Sequence, residues 1–321
     1  MKEIIYYFLG SFAIALILAP LLIRLLRKLK AGQEILHYVD FHSQKSGTPT
    51  MGGVIFILPL VILTPIFVRG SHPLALIIIL ASVGFALLGF LDDFIKVKTK
   101  KNLGLRAYQK IIGQGGIAVL VAIFYTILNP EGRILIPFFN VFWDMGFFIA
   151  PLVFLVMIAT TNAVNLTDGI DGLAASVSLI FLLFLGIFIN VAPITLPEHR
   201  QFMLLISITI GSLFAFLLFN SNRASVFMGD MGSLFLGSMI AALSVFSFLG
   251  FFILVLGVMF VWSTLSVIIQ VAFFRITKGK RVFKMTPFHH HLEKSGWAEA
   301  RIVALYIAIT VIMGALLFIS M

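Results

Sequence analysis

The sequence predicts an all-α polytopic membrane protein: ten transmembrane helices in a single integral-membrane domain over residues 1–321, with both termini on the outer side of the membrane. Three observations predict it. Apolar runs long enough to cross a bilayer, roughly 20 residues each, recur from one end of the chain to the other. The composition is 60% hydrophobic and only 11% charged, where a water-soluble surface would need several times more charge. Finally, Lys and Arg segregate between alternate connections, nineteen on one side against four on the other, which places the rich side in the cytoplasm.

Taken in order, the spans fall near 4–26, 51–68, 74–91, 111–128, 147–163, 173–190, 200–219, 233–248, 250–274 and 302–320. The first resembles a secretory leader in position, but its apolar run continues to Leu26 without a small-residue cleavage site, so it counts as a span. A missed span would scramble the charge separation, so the even count has independent support. The chain has no cysteine, which excludes disulfide and thiol chemistry. Its net charge of +10, concentrated on the cytoplasmic face, suits anionic lipids or an anionic soluble substrate; no nucleic-acid partner is expected.

The cytoplasmic connections also carry the informative residues. After span one comes Lys45-Ser-Gly-Thr-Pro-Thr-Met-Gly-Gly53, a tight Gly/Pro-rich turn in which Lys45 and the Thr48 and Thr50 hydroxyls could line a phosphate site. Span three ends in Asp92-Asp93, with Lys96 one helical turn after Asp92. Adjacent carboxylates repel, and such a cluster suits a divalent ion or a transferred proton. Between spans five and six lies Asn162-Ala-Val-Asn-Leu-Thr-Asp-Gly-Ile-Asp-Gly-Leu173, where a helical turn would put Asp168 and Asp171 on one face. Before span eight, Asp230 stands between Gly229 and Gly232 at a helix opening, and it is the metal candidate, since magnesium takes one or two carboxylates plus phosphate oxygens and water. The last connection, Arg275 to Arg301, holds Met285-Thr-Pro-Phe-His-His-His-Leu-Glu293. Helical residues point about 100° apart, so its three histidines cannot all face one site. Without cysteine or another supporting His spacing, zinc is disfavoured, and histidine donating to phosphate is preferred. On the outer side, Asn129 to Gly146 is aromatic and reads as an interfacial anchor or partner surface.

All these acids sit at span ends. An ion-coupled transporter would place them at mid-span within broken half-helices, and no such pattern is present. A non-catalytic scaffold would explain the lysines as topology signals and leave the aspartates without a role.

Together the motifs at Lys45–Gly53, Asp92-Asp93, Asn162–Gly172, Val226–Asp230 and Thr286–Glu293 resemble the bacterial phospho-N-acetylmuramoyl-pentapeptide transferases, within the polyprenyl-phosphate N-acetylhexosamine-1-phosphate transferase superfamily. The resemblance spans nearly the whole chain. It implies an active site on the cytoplasmic face of the bacterial inner membrane, magnesium as cofactor, and a homodimer. The implied substrates are UDP-N-acetylmuramoyl-pentapeptide and undecaprenyl phosphate, and the implied products are lipid I and UMP. By that pattern Asp92, Asp93, Asp230 and His289 would be catalytic, with the metal on Asp230. Asp92 would orient or deprotonate the lipid phosphate for direct attack; a phospho-aspartate route is the open alternative. Lys45, Thr50, Lys96, Asn165, Asp168, Asp171, Asn220, Phe227, Gln270, His290 and His291 would bind substrate, Phe227 by stacking on uracil. Tyr108 stands where relatives often carry a basic residue, and Arg106 or Lys110 could substitute for it. Arg223 and Met231 replace a common proline and threonine near Asp230. The nearest rival, a transferase of N-acetylglucosamine-1-phosphate, shares the aspartates but not the triple-histidine stretch. A CDP-alcohol phosphotransferase would need an Ala-Arg after the first Asp-Gly, which Asp168-Gly-Ile-Asp-Gly lacks.

Overall fold

The computed structural model describes residues 2–29, 47–67, 73–99, 104–194, 196 and 198–321. Its elements are α1 (Lys2–Lys28), α2 (Val54–Phe67), α3 (Pro73–Thr99), α4 (Ala107–Leu128), β1 (Arg133–Ile136), β2 (Val141–Asp144), α5 (Ile149–Thr167), α6 (Leu173–Val191), α7 (His199–Asn220), α8 (Gly229–Phe246), α9 (Phe252–Leu256), α10 (Val258–Ile276), α11 (Phe288–Glu293) and α12 (Glu299–Ile319). Among the described residues, nine helices are long and apolar enough to cross a membrane: α1, α3 to α8, α10 and α12. The chain is a mostly helical, multi-pass membrane protein.

Burial is graded across the bundle, and the grading follows side-chain size and spacing. Every residue of α8 from Gly232 to Phe246 is buried. Small residues at Gly232, Ser233, Gly237, Ser238, Ala241 and Ala242 let α3 and α5 pack closely against it. The peripheral helices bury a single stripe. In α1 the buried residues are Ser11, Ala15, Ala19, Ile23 and Leu26, and in α12 they are Ile302, Tyr306, Thr310, Gly314 and Leu317. Spacing of three and four leaves the rest of each apolar surface outward, as a helix facing lipid requires.

The structure departs from the sequence reading in several places. The apolar stretch 51–68 yields α2, only 14 residues long and containing Pro59 and Pro65. The single span expected over 250–274 is divided at Gly257, where the backbone leaves helical geometry between α9 and α10. Several helices outrun their apolar cores: α3 continues through Asp92, Asp93 and Lys96, and α4 begins before Lys110. The aromatic connection after α4 is an antiparallel hairpin with Arg133 opposite Asp144 and Ile136 opposite Val141, so the chain is not wholly α. The β1 strand is fixed to the α8–α9 corner by Leu135 N donating to Phe248 O at 2.8 Å. At the hairpin tip, Asn140 Nδ2 donates to Ser320 O at 2.9 Å.

Candidate active site

The end of the bundle where α3 and α8 meet collects three carboxylates. Asp92 and Asp93 lie near the end of α3, and Asp230 lies in the first turn of α8. Their ligand atoms all fall within 4.8 Å of one another, and they form the one group of three or more His, Cys, Asp or Glu among the described residues with metal-site spacing. Two lysines answer them. Lys96 Nζ is 2.6 Å from Asp92 Oδ2 and 3.0 Å from Asp230 Oδ2. Lys110 Nζ, from the first turn of α4, is 2.9 Å and 2.8 Å from the same two oxygens. Two ammonium groups therefore sit on the oxygens a divalent cation would use, and one acid remains in excess of them. The hard-oxygen donor set fits magnesium.

Backbone donors and glycines fix the acids in place. Asp92 is fully buried, and its Oδ1 accepts the Leu105 N–H at 2.7 Å, so Oδ2 is the oxygen turned to the lysines. Asp93 Oδ2 accepts the Met231 N–H at 3.2 Å, using a donor that the α8 N-terminus leaves without an intrahelical partner. Asn165, on α5, donates from Nδ2 to Asp230 Oδ1 at 2.9 Å and to Ser233 Oγ at 2.8 Å. Gly229 stands at φ +71, and a Cβ there would collide with Asp93 Oδ2 and Thr50 Oγ1. Only glycine lets the Thr50 segment, the α3 acids and α8 converge. That segment is paired by main chain with the approach to α8: Phe227 N donates to Pro49 O and Gly52 N to Phe227 O, both at 2.8 Å.

The Asp168–Gly172 stretch is a turn between α5 and α6, not helix, so the shared helical face expected for its two acids does not form. Asp171 is buried and its Oδ2 accepts the Ala224 N–H at 2.9 Å. Asn220 accepts from Gly172 N at 3.2 Å and donates to Val226 O at 2.9 Å. These two side chains tie the turn to the segment that carries Phe227. Asp168 keeps partial access to solvent, yet its carboxyl is held well above the ordinary carboxylate range. Burial is the main cause, and the negative charges of Asp230, Asp93 and Asp171 add to it.

The three histidines of α11 diverge. His289 is fully buried, and its imidazole packs so closely on Gly169 that any Cβ there would overlap it. His290 Nδ1 is 2.6 Å from Glu293 Oε2. His291 stacks on Phe288, and its Nδ1 accepts the Lys284 N–H at 3.1 Å. Gln270 accepts from Val282 N and Phe283 N, each at 3.0 Å, and donates to Phe283 O at 3.0 Å, clamping the basic loop to α10. In this structure Asn220, Gln270 and His291 thus hold loops. Lys45 lies outside the described residues. Lys110, which the sequence offered only alongside Arg106 as a substitute for the basic residue missing at Tyr108, is central to the site. The available signal was its position one turn into α4, where Tyr108 departs from the family pattern.

Comparisons with known proteins identify the family. The glycosyl transferase family 4 model matches residues 75–248, more than half of the chain. The phospho-N-acetylmuramoyl-pentapeptide-transferase signature 1 matches residues 45–57. A phospho-N-acetylmuramoyl-pentapeptide-transferase of Clostridium kluyveri is 43% identical over 100% of both chains. That of Clostridium novyi is 41% identical over 100% of this chain and 98% of its own. That of Halalkalibacterium halodurans is 42% identical over 92% of this chain and 90% of its own. On a shared length, a shared signature and an acid cluster suited to phosphoryl transfer, this chain belongs to the phospho-N-acetylmuramoyl-pentapeptide-transferase family.

Proposed function

We propose that the protein transfers phospho-N-acetylmuramoyl-pentapeptide from UDP-N-acetylmuramoyl-pentapeptide to undecaprenyl phosphate, giving lipid I and UMP, a membrane step of peptidoglycan synthesis. The observation that carries this reading is full-length relatedness to transferases of that name. The acid cluster at one end of the helices is where a water-soluble donor and a bilayer-borne acceptor meet.

An oxygen of the lipid phosphate attacks the phosphorus next to the sugar. The bond from that phosphorus to the bridging oxygen breaks, and UMP leaves with that oxygen. Phosphoryl transfer needs positioning and charge neutralisation more than covalent help. Asp92 Oδ2 orients the attacking phosphate and takes any proton it carries, since Oδ1 is committed to Leu105. Asp230, with Asp92 and Asp93 beside it, would hold magnesium, which would supply charge neutralisation for the diphosphate. Lys96 and Lys110, which pair with the carboxylates, bind phosphate oxygens of the substrates, together with Lys45 and Thr50. Asn165, Asp168, Asp171 and Asn220 shape the nucleotide end, Phe227 stacks on uracil, and His289 or His290 contacts the sugar-phosphate part, beside the loop that Gln270 and His291 hold. We place all ten spans, α2 included, in the bacterial inner membrane as one catalytic domain. Both termini lie outside, the acids face the cytoplasm, and the chain pairs as a homodimer.

The test is UMP release by detergent-solubilised protein with undecaprenyl phosphate, magnesium and one of two donors. Turnover is expected with UDP-N-acetylmuramoyl-pentapeptide and not with UDP-N-acetylglucosamine, and chelation should abolish it. The Asp230→Ala variant should lose about 10³-fold, the scale of removing a charge-stabilising group. Turnover with the N-acetylglucosamine donor alone would overturn the substrate assignment.

A further inference from the structure

We propose that the β1–β2 hairpin is a bilayer anchor, its aromatic tip and outer strand seated among phospholipid headgroups at the end of the bundle opposite the carboxylates. Phe138, Phe139, Val141 and Trp143 on the hairpin, and Phe147 and Phe148 just after it, are all exposed, Phe139 at 76% and Phe147 at 78%. So many neighbouring aromatic side chains facing water would be an unusually large apolar patch. Aromatic rings favour the headgroup level, where one part of the ring meets hydrocarbon and the rest meets polar groups.

The occupant follows from what borders the patch. Phe147 and Phe148 run directly into α5, whose Phe154 and Leu155 are exposed along a helix long enough to span. On the other side, Asn140 binds the carbonyls of Ser320 and Met321. That holds the tip against the end of α12, where Phe318 and Ile319 are exposed at 50% and 81%. The patch is thus continuous with two lipid-facing helix surfaces at the level where each ends. The hairpin's charged groups gather at its base instead: Arg133 pairs with Glu131 at 3.2 Å and with Asp144 at 3.3 Å. The tip conformation supports a fixed placement. Phe138 has φ 70, which a bulky residue adopts at a cost and keeps only where its surroundings hold it.

The absence of cysteine allows a clean test. A single nitroxide at Val141→Cys, with Glu131→Cys as the comparison site, is examined by electron paramagnetic resonance in phosphatidylethanolamine–phosphatidylglycerol vesicles at high lipid-to-protein ratio. At position 141, oxygen, which concentrates in lipid, should relax the label several-fold more than an aqueous nickel chelate, at a depth near the glycerol level; at 131 the order should reverse. Dominance of the nickel chelate at 141 would show a water-facing hairpin. Shielding from both relaxants would show protein cover, by a second copy or another partner. Either result overturns the proposal, as would a depth at the bilayer centre. Should the labelled variants misfold, Trp143 fluorescence in the Trp262→Phe, Trp297→Phe chain provides the second reading. Lipids labelled near the headgroup should then quench it more than iodide does, and the reverse order overturns the proposal.

Discussion

Both ends of the bundle carry ion pairs, but in opposite surroundings. At the hairpin end, Arg133 meets Glu131 and Asp144, and Arg200 meets Glu3, with every partner at least 43% exposed. At the other end, Lys96 and Lys110 are 23% and 29% exposed, and the carboxylates they answer fall as low as 1%. Water and salt screen the first set, so each partner can be lost at little cost. The second set has given up its hydration, and removing one member leaves its partners charged and unanswered. Burial, not the mere presence of paired charges, distinguishes the candidate site from the surface pairs.

The sharpest way to test that contrast is Lys110→Met. With one of two ammonium groups gone, kcat/KM for UMP release should fall about a hundredfold, the scale of one electrostatic contact in a phosphoryl-transfer site. A loss of less than threefold would put Lys110 with the surface pairs. Next comes Gly169→Ala, which adds no charge and removes none. Its methyl group displaces His289, and kcat/KM should fall about tenfold, as misplacement of a positioning group does; an unchanged value would detach His289 from the site.

A third, smaller effect concerns pH. The fold raises the Asp168 pKa, so it favours the protonated carboxyl. That contribution is fully present below the ordinary carboxylate pKa and is lost as pH rises through the raised value. Without divalent cations, the melting temperature of the wild type should therefore drop relative to Asp168→Asn between acid and neutral pH. Parallel curves would show that burial and the neighbouring acids do not raise the Asp168 pKa. The smallest effect is expected from Arg200→Ala, which should leave UMP release within about twofold and melting unchanged.

The helices and the acids were legible in the sequence for the same reason: a charge beside hydrocarbon is conspicuous. Asp92, Asp93 and Asp230 stand out against apolar flanks from any local window. For Lys110 the sequence offered a choice with Arg106 and no partner, because its pairing with Asp92 and Asp230 depends on the start of α4 docking across α3 and α8, which no local window records. Asn220 and Gln270 resemble binding residues in type, and their main-chain partners appear only when the loops are placed. The hairpin was hidden by its own composition. Ile134, Leu135 and Ile136 are apolar in succession with no alternation, because β1 is covered on both sides, Ile134 and Leu135 both being buried. The break at Gly257 left no trace in hydropathy, since apolar residues continue through it.

The enclosure of α8 bears on how the protein is made. It is the least apolar of the nine candidate spans and opens on an aspartate, so released alone into lipid it would partition poorly. Its partners α3 and α5 precede it in the chain and are already synthesised when it emerges. Biosynthesis from the N-terminus thus supplies a protein surface, rather than bare hydrocarbon, to receive the helix that carries Asp230, and the three-carboxylate cluster is completed in the same step that inserts α8.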